Sequence, residues 1–273
     1  MKDNSITTAD GSTIAYYTIG NGPSIIVIPG ILSTANDYST LANALAETFT
    51  VHTIERRGHG KGSPQDDSYS MANECADVLA LQKRTQASYI FGHSYGGLIA
   101  LETARNNSSL KKVMVYEPGV SINGSISVAW ASNYENQLAQ NKPLDAFVDF
   151  SIAMAPGGAA RNTPRWLMKL LLPIMMKAPD LQQKLELLPT NLREHREIAR
   201  LDNTYINYKD ISAETLLMYG GKSGLESAGI AIKQLSEVIP TSTIRKFPQL
   251  NHFGPDQSGP REVAEAIRDY IQN

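Results

Sequence analysis

The chain has 273 residues, 42% of them hydrophobic and 19% charged, with a formal net charge of −2. That composition supports a buried core in one large domain and argues against disorder. There is no basic stripe of the kind a nucleic-acid binder needs, and the densest charge cluster, residues 194–200, alternates in sign and reads as a solvated helix face.

The single cysteine, Cys75, allows no internal disulfide and falls in a helical pattern as a small core residue. The first residues carry no apolar run of the signal-peptide kind. The longest apolar stretch, residues 166–176, is interrupted by Lys169 and Pro173 and falls short of the ~20 residues that span a bilayer. The expectation is a cytoplasmic protein with no membrane or nucleic-acid partner, acting on a small molecule. Nothing in the composition opposes a homodimer.

Residues 5–8 and 13–19 flank Asp10-Gly11, a hairpin signal, so the chain opens with an antiparallel pair at a sheet edge. Residues 24–28 form a continuous apolar run, typical of a strand buried on both faces, and end at Pro29-Gly30. A helix is expected over 37–48, with Leu41, Ala44 and Leu45 on one face. A strand over 50–55 runs into the polar, Gly-rich loop from Arg56 to Ser63. Then come a helix over 70–85, a strand over 87–91, the motif Gly92-His93-Ser94-Tyr95-Gly96, a helix over 97–106, and a strand over 112–116 ending at Glu117-Pro118.

Residues 119–210 lose this rhythm. They are helical in character, with Pro156, Pro164 and Pro173 splitting them into short helices and Gly157-Gly158 as a hinge. The rhythm resumes with strands over 215–219 and 243–247 and helices over 225–238 and 261–271. The sum is an α/β fold, a mostly parallel central sheet of about eight strands flanked by helices. Its core is residues 1–118 and 211–273. A helical cap, 119–210, is inserted after the strand ending at Glu117.

Gly-x-Ser-x-Gly between a strand and a helix has a mechanical meaning. The serine occupies a strained turn that holds its hydroxyl clear of the backbone, and small residues on either side let strand and helix approach. Gly92, Gly96 and Gly97 supply that space, which makes Ser94 the candidate nucleophile. The helix that follows aims unpaired N–H groups at the site, so the Tyr95 N–H is one expected oxyanion donor. The turn after residues 24–28 supplies the second, the N–H of Ile31.

With these segments on view, residues 5–118 and 211–273 resemble the α/β-hydrolase family. Ile28-Pro29-Gly30 stands where the family usually has His-Gly. Residues 55–60, Glu-Arg-Arg-Gly-His-Gly, look like its Asp-Arg-Arg-Gly-His-Gly block. Residues 92–97 match its nucleophile elbow, and Asn251-His252-Phe253 looks like its Gly-His-Phe. The segment after Glu117 occupies the position of the family's cap. Pro29 for His and Asn251 for Gly are departures that remove no catalytic group.

A serine hydroxyl needs a base. Of the five histidines, His52 lies in a strand pattern, His59 in the Gly-rich turn, His93 beside Ser94 pointing elsewhere, and His195 in a charged, exposed helix. His252 follows a strand in a loop at the elbow's end of the sheet and comes after the serine in chain order. The acid is less direct. The resemblance puts it commonly in the loop after residues 215–219, where this chain has Ser223, which carries no charge. A second family placement is the end of the preceding strand, which here is Glu117. Glu226 is the alternative acid, and Asp256 or a Ser–His dyad remain open beside it.

Gly221-Lys222-Ser223 lacks the earlier glycine of a phosphate loop, because position 216 is Leu. Gly58-x-Gly60-x-Gly62 lacks the third glycine of a dinucleotide fingerprint, because position 63 is Ser. No motif suggests a metal, and no cofactor is expected. Four of the eight methionines lie between Met154 and Met176 beside Trp166, which suits either a cap lining an apolar pocket or an ordinary helical core. The reading is a serine hydrolase acting on a small, apolar carboxylic ester. A perhydrolase, lyase or carbon–carbon hydrolase on the same scaffold, or a binding protein with impaired catalysis, are the alternatives.

Overall fold

The computed structural model describes residues 2–8, 11–155, 162–224 and 226–273, apart from the side chains of Glu226 and Ser227. The strands are β1 (Lys2–Thr7), β2 (Thr13–Ile19), β3 (Ser24–Ile28), β4 (Thr50–Ile54), β5 (Tyr89–His93), β6 (Lys112–Tyr116), β7 (Glu214–Gly220) and β8 (Ser242–Phe247). They form one eight-stranded sheet in the order β1-β2-β4-β3-β5-β6-β7-β8. β1 pairs antiparallel with β2 and β2 with β4, while every pair from β4 across to β8 is parallel.

The α-helices among the described residues are α1 (Ser39–Leu45), α2 (Met71–Thr85), α3 (Tyr95–Ala104), α4 (Ala131–Ala139), α5 (Pro143–Ala153), α6 (Arg165–Met175), α7 (Ala178–Glu186), α8 (Leu188–Arg200), α9 (Glu226–Val238) and α10 (Pro260–Gln272). None is long and apolar enough to cross a membrane. The period of two along each strand explains why helices cover both faces of the sheet. Ile26, Ile28, Val113 and Val115 pack with Leu81 of α2 and Ile99 of α3. The alternate residues Ile25, Val27, Met114 and Tyr116 pack with Leu41 of α1 and Ile267 of α10.

Helices α4 to α8 lie between β6 and β7, where the helical segment is expected. They share an apolar cluster of Trp130, Tyr134, Phe147, Leu172, Leu188 and Leu192, which also takes in Leu32 from the turn after β3. Three prolines other than those first singled out start helices here, at the first turns of α5, α7 and α8. Pro173 does not break the chain as expected. It lies inside α6, two residues before its end, so that the one N–H bond it removes leaves the preceding turns intact. Pro156 and the Gly157-Gly158 hinge lie outside the described residues.

Two expectations about this segment are corrected. Residues 194–200 are not a solvated face, since Glu194, His195 and Glu197 are buried. His195 stacks edge-on against Trp130 and Phe150, with ring centroids 5.1 and 5.3 Å away, and its Nδ1 bonds Asn191 O at 2.9 Å. Glu197 Oε2 accepts the N–H of Met71 at 2.7 Å, at the start of α2. Alternating charge cannot reveal this: Glu197 does pair with the nearby Arg200, but the groups that seat the acids inside the fold, Arg56 and His59 for Glu194 and the Met71 N–H for Glu197, lie far away in the sequence. The helical-core reading of this segment also holds only in part. Trp166 and Met175 are exposed, whereas Met154, Met168 and Met176 pack against the apolar cluster.

The tightest crossing is that of β5 into α3. A Cβ on Gly92 would stand 2.1 Å from Gly96 O, one on Gly96 2.2 Å from Ile28 O, and one on Gly97 2.9 Å from Pro118 Cα. All three obstacles are backbone, which cannot rotate aside. Gly96→Ala is therefore expected to cost at least about 3 kcal/mol. A urea melt of the variant should show the lowered midpoint.

Candidate active site

The C-terminal ends of β3, β5, β6, β7 and β8 meet at one edge of the sheet, because the five strands run parallel in neighbouring register. Ile28 lies opposite Gly92, His93 opposite Tyr116, Tyr116 opposite Met218, and Gly220 opposite Phe247. Ligand sites of open α/β sheets form at this edge. Ser94, Glu117, the turn 29–34, Ser223 and His252 all follow these ends.

Ser94 is held at φ +54° and ψ −120°, a conformation that side-chain-bearing residues adopt only under constraint. The constraint is a bond from its N–H to Tyr116 O at 3.0 Å, together with bonds to its carbonyl from Gly97 N at 2.9 Å and Gly119 N at 2.8 Å. From Phe91 to Leu101, Ser94 is the one residue that is not buried. The turn after β3 passes directly beside it, since a Cβ on Gly30 would stand 3.3 Å from Ser94 Cβ. The N–H groups of Ile31 and Tyr95 make no hydrogen bond among the described residues, as donors kept for a ligand must.

Glu117 and His252 are brought together. Glu117 Oε2 lies 2.7 Å from His252 Nδ1, with the carboxylate almost wholly buried. Its other oxygen accepts the N–H of Gly220 at 2.8 Å and the hydroxyl of Ser223. A carboxylate in this position accepts, so Nδ1 carries the proton and Nε2 presents a lone pair. Among the described residues Nε2 has no partner, and no hydrogen bond yet joins it to Ser94 Oγ. Glu117 itself takes φ +41° at the end of β6, a turn that directs the chain out of the sheet.

Ser223 carries no charge of its own and instead hydrogen-bonds Glu117, which follows the neighbouring strand. The Glu226 side chain lies outside the described residues. Asp256 is near enough to sense His252, and burial pushes its carboxyl up to about 6, but no hydrogen bond links the two.

The loop carrying His252 is held by residues that sequence reasoning passed over. Tyr116 Oη donates to Asn251 O at 2.8 Å. His93 Nε2 donates to His252 O at 2.8 Å, while its Nδ1 lies 2.5 Å from Tyr38 Oη. Tyr38 Oη in turn accepts the N–H of Gly30 at 3.0 Å. Burial, with His252 beside it, holds the His93 imidazole well below its usual range and therefore neutral. His93 does point away from the Ser94 hydroxyl, but toward the base's own backbone. The Asn251 side chain accepts from Phe253 N at 2.9 Å and Ser258 Oγ at 3.1 Å, which accounts for an asparagine where a glycine is usual. No group of three or more His, Cys, Asp or Glu is placed to hold a metal among the described residues.

The profile of the alpha/beta hydrolase family matches residues 25–266. The chain belongs to the alpha/beta hydrolase family. An uncharacterized hydrolase of Bacillus subtilis, YraK, is 30% identical over 121 residues, which are 42% of this chain and 45% of that protein. The chain thus matches under half the length of that relative. A pimeloyl-[acyl-carrier protein] methyl ester esterase of Chromobacterium violaceum is 25% identical over 93% of this chain and 96% of its own. Among solved structures, an alpha/beta hydrolase of Sphaerobacter thermophilus superposes with a TM-score of 0.82 at 23% identity, covering 98% of this chain and 100% of the other. The likeness in structure is a likeness of fold, and the eight-stranded sheet with its helices is that of the alpha/beta hydrolases.

The Glu117–His252 bond has a direct spectroscopic consequence. A proton on Nδ1 held by a buried carboxylate should give a far-downfield resonance in the proton NMR spectrum. The resonance should vanish in Glu117→Ala and persist, shifted, in Ser223→Ala.

Proposed function

We propose that the chain is a serine hydrolase that cleaves a carboxylic ester of a small, fairly apolar substrate. The observation that carries this reading is the 2.7 Å pairing of His252 with a buried Glu117 at the sheet edge where Ser94 stands accessible on its turn. His252 Nε2 takes the proton of Ser94 Oγ as the oxygen attacks the ester carbonyl. Glu117 keeps the imidazole in the correct tautomer and stabilises the imidazolium that forms. The N–H groups of Ile31 and Tyr95 receive the negative oxygen of the tetrahedral intermediate.

The imidazolium then gives its proton to the departing alkoxide, which leaves as the alcohol. Ser94 is left as an acyl ester. A water, deprotonated by His252, repeats the sequence and releases the acid. Serine at position 94 also separates this chain from relatives that dehalogenate or open epoxides through an aspartate nucleophile. The helices between β6 and β7 act as the cap, and the ester choice follows from the esterase among the relatives and the apolar residues of that segment.

A fluorophosphonate probe should label Ser94, read by mass spectrometry, and leave Ser94→Ala unmodified. Absence of label on the wild-type serine would remove the hydrolase reading. Glu117→Gln should keep the fold, read by circular dichroism, and lower kcat on p-nitrophenyl esters about 10³- to 10⁴-fold, because an amide at that position favours the wrong tautomer. Near-normal turnover would show that another group orients His252.

A further inference from the structure

Arg56, the second residue after β4, has no exposed side-chain surface. A buried cation is tolerated only when its donors are matched. Nη1 donates to Glu194 Oε1 of α8 at 2.7 Å and to Glu74 Oε1 of α2 at 3.3 Å, and Nη2 donates to Glu194 Oε2 at 3.3 Å. The second Nη2 donor goes to a backbone atom, Gly30 O, at 2.7 Å, with His59 Nε2 3.2 Å from the same nitrogen, while the buried Nε has no partner among the described residues. The guanidinium also faces the ring of Tyr95, 5.2 Å from its centroid. It therefore touches the peptide that carries one expected oxyanion donor, through Gly30 O, and the side chain of the residue that carries the other, Tyr95.

The Gly30 carbonyl and the Ile31 N–H are opposite ends of one planar trans peptide. Holding the carbonyl fixes the direction of the N–H. A charged donor on the carbonyl also draws electron density through the amide and makes the N–H a stronger donor. The rest of the turn is gripped in the same sense. Leu32 O takes Lys184 Nζ at 2.6 Å and Ser33 O lies 2.8 Å from His59 Nδ1, while the Gly30 N–H is tied to Tyr38. Three of the turn's carbonyls, those of Gly30, Leu32 and Ser33, thus meet side chains from elsewhere in the fold, and the Ile31 N–H is left without a partner among the described residues.

We propose that Arg56 is a positioning residue for the oxyanion hole, which orients and polarises the Gly30–Ile31 peptide so that its N–H meets the negative oxygen of the transition state. The proposal rests on the serine hydrolase reading, in which Ile31 is a donor. Glu194, on the inserted helix α8, holds the guanidinium in register, so the insertion and the hole share one buried charge.

The test compares two inhibitors. A trifluoromethyl ketone adds to Ser94 and places an anionic oxygen in the hole, whereas the matching methyl ketone binds without adding. Arg56→Lys keeps a charge but not a fork that reaches both Glu194 and Gly30 O. It should lower kcat about 10- to 100-fold, with KM nearly unchanged. It should weaken the trifluoromethyl ketone by a similar factor and leave the methyl ketone's affinity as it was. Arg56→Met/Glu194→Gln removes the charge and its counter-charge together, avoiding an uncompensated buried ion, and should behave alike. Asp77→Asn loosens the neighbouring Arg57–Asp77 pair and is the structural control, with no selective effect on the trifluoromethyl ketone.

Equal weakening of both ketones, unchanged kcat, or failure of both Arg56 variants to fold while Asp77→Asn folds would overturn the proposal and make Arg56 a structural clasp. Failure of the underlying reading is seen separately, as a wild-type Ser94 that neither takes the fluorophosphonate nor adds to the trifluoromethyl ketone.

Discussion

The crossing of β5 and α3 is the constraint on which the rest of the site depends. Three backbone contacts there leave no room for a Cβ at positions 92, 96 and 97. That closeness lets Ser94 turn through φ +54° within a run of otherwise buried residues, and the first N–H of α3, that of Tyr95, is left without a partner among the described residues. The strain at Ser94 is held by the sheet, through the bond to Tyr116 O, by α3, through Gly97 N, and by the loop after β6, through Gly119 N. A residue gripped from three elements is fixed before any ligand arrives.

The other groups come from the ends of neighbouring parallel strands, and their distances follow from register. Glu117 leaves β6 and reaches past β7 to His252, which follows β8. On its way the carboxylate collects the N–H of Gly220 and the hydroxyl of Ser223 from the end of β7. The Glu117 carboxylate therefore has a hydrogen-bonded seat at the end of the neighbouring strand, with Ser223 as one of its partners. The chain of Gly30, Tyr38, His93 and the His252 carbonyl ties the turn after β3 to the loop after β8 through a neutral imidazole.

Charge is organised by burial more than by number. Arg56 and Glu194 are 138 residues apart and wholly buried against one another. Burial opposes the charge of Glu194, yet Arg56 and His59 beside it pull its carboxyl down to about 2. Glu74, also buried and less closely matched, is pushed up to about 7. One acid is therefore a fixed counter-ion and the other is not, although both face the same guanidinium.

The sequence by itself determined the order of strands and helices, the site of the helical insertion, and the identities of Ser94 and His252 as candidates. These are carried by local signals: apolar runs with a period of two or near four, glycines where backbones must touch, and a motif of a few adjacent residues. It also named Glu117, though only as a substitute for a missing Asp. What only the tertiary structure decided is which distant groups meet. The Glu117–His252 bond, the role of Ser223 as its partner, the burial of His195 and Glu194, and the seat of Arg56 on the Gly30 carbonyl all join residues far apart in the chain. Polar side chains carry no periodic signature of burial, because a charge in a core is permitted by its partner and not by its neighbours in sequence.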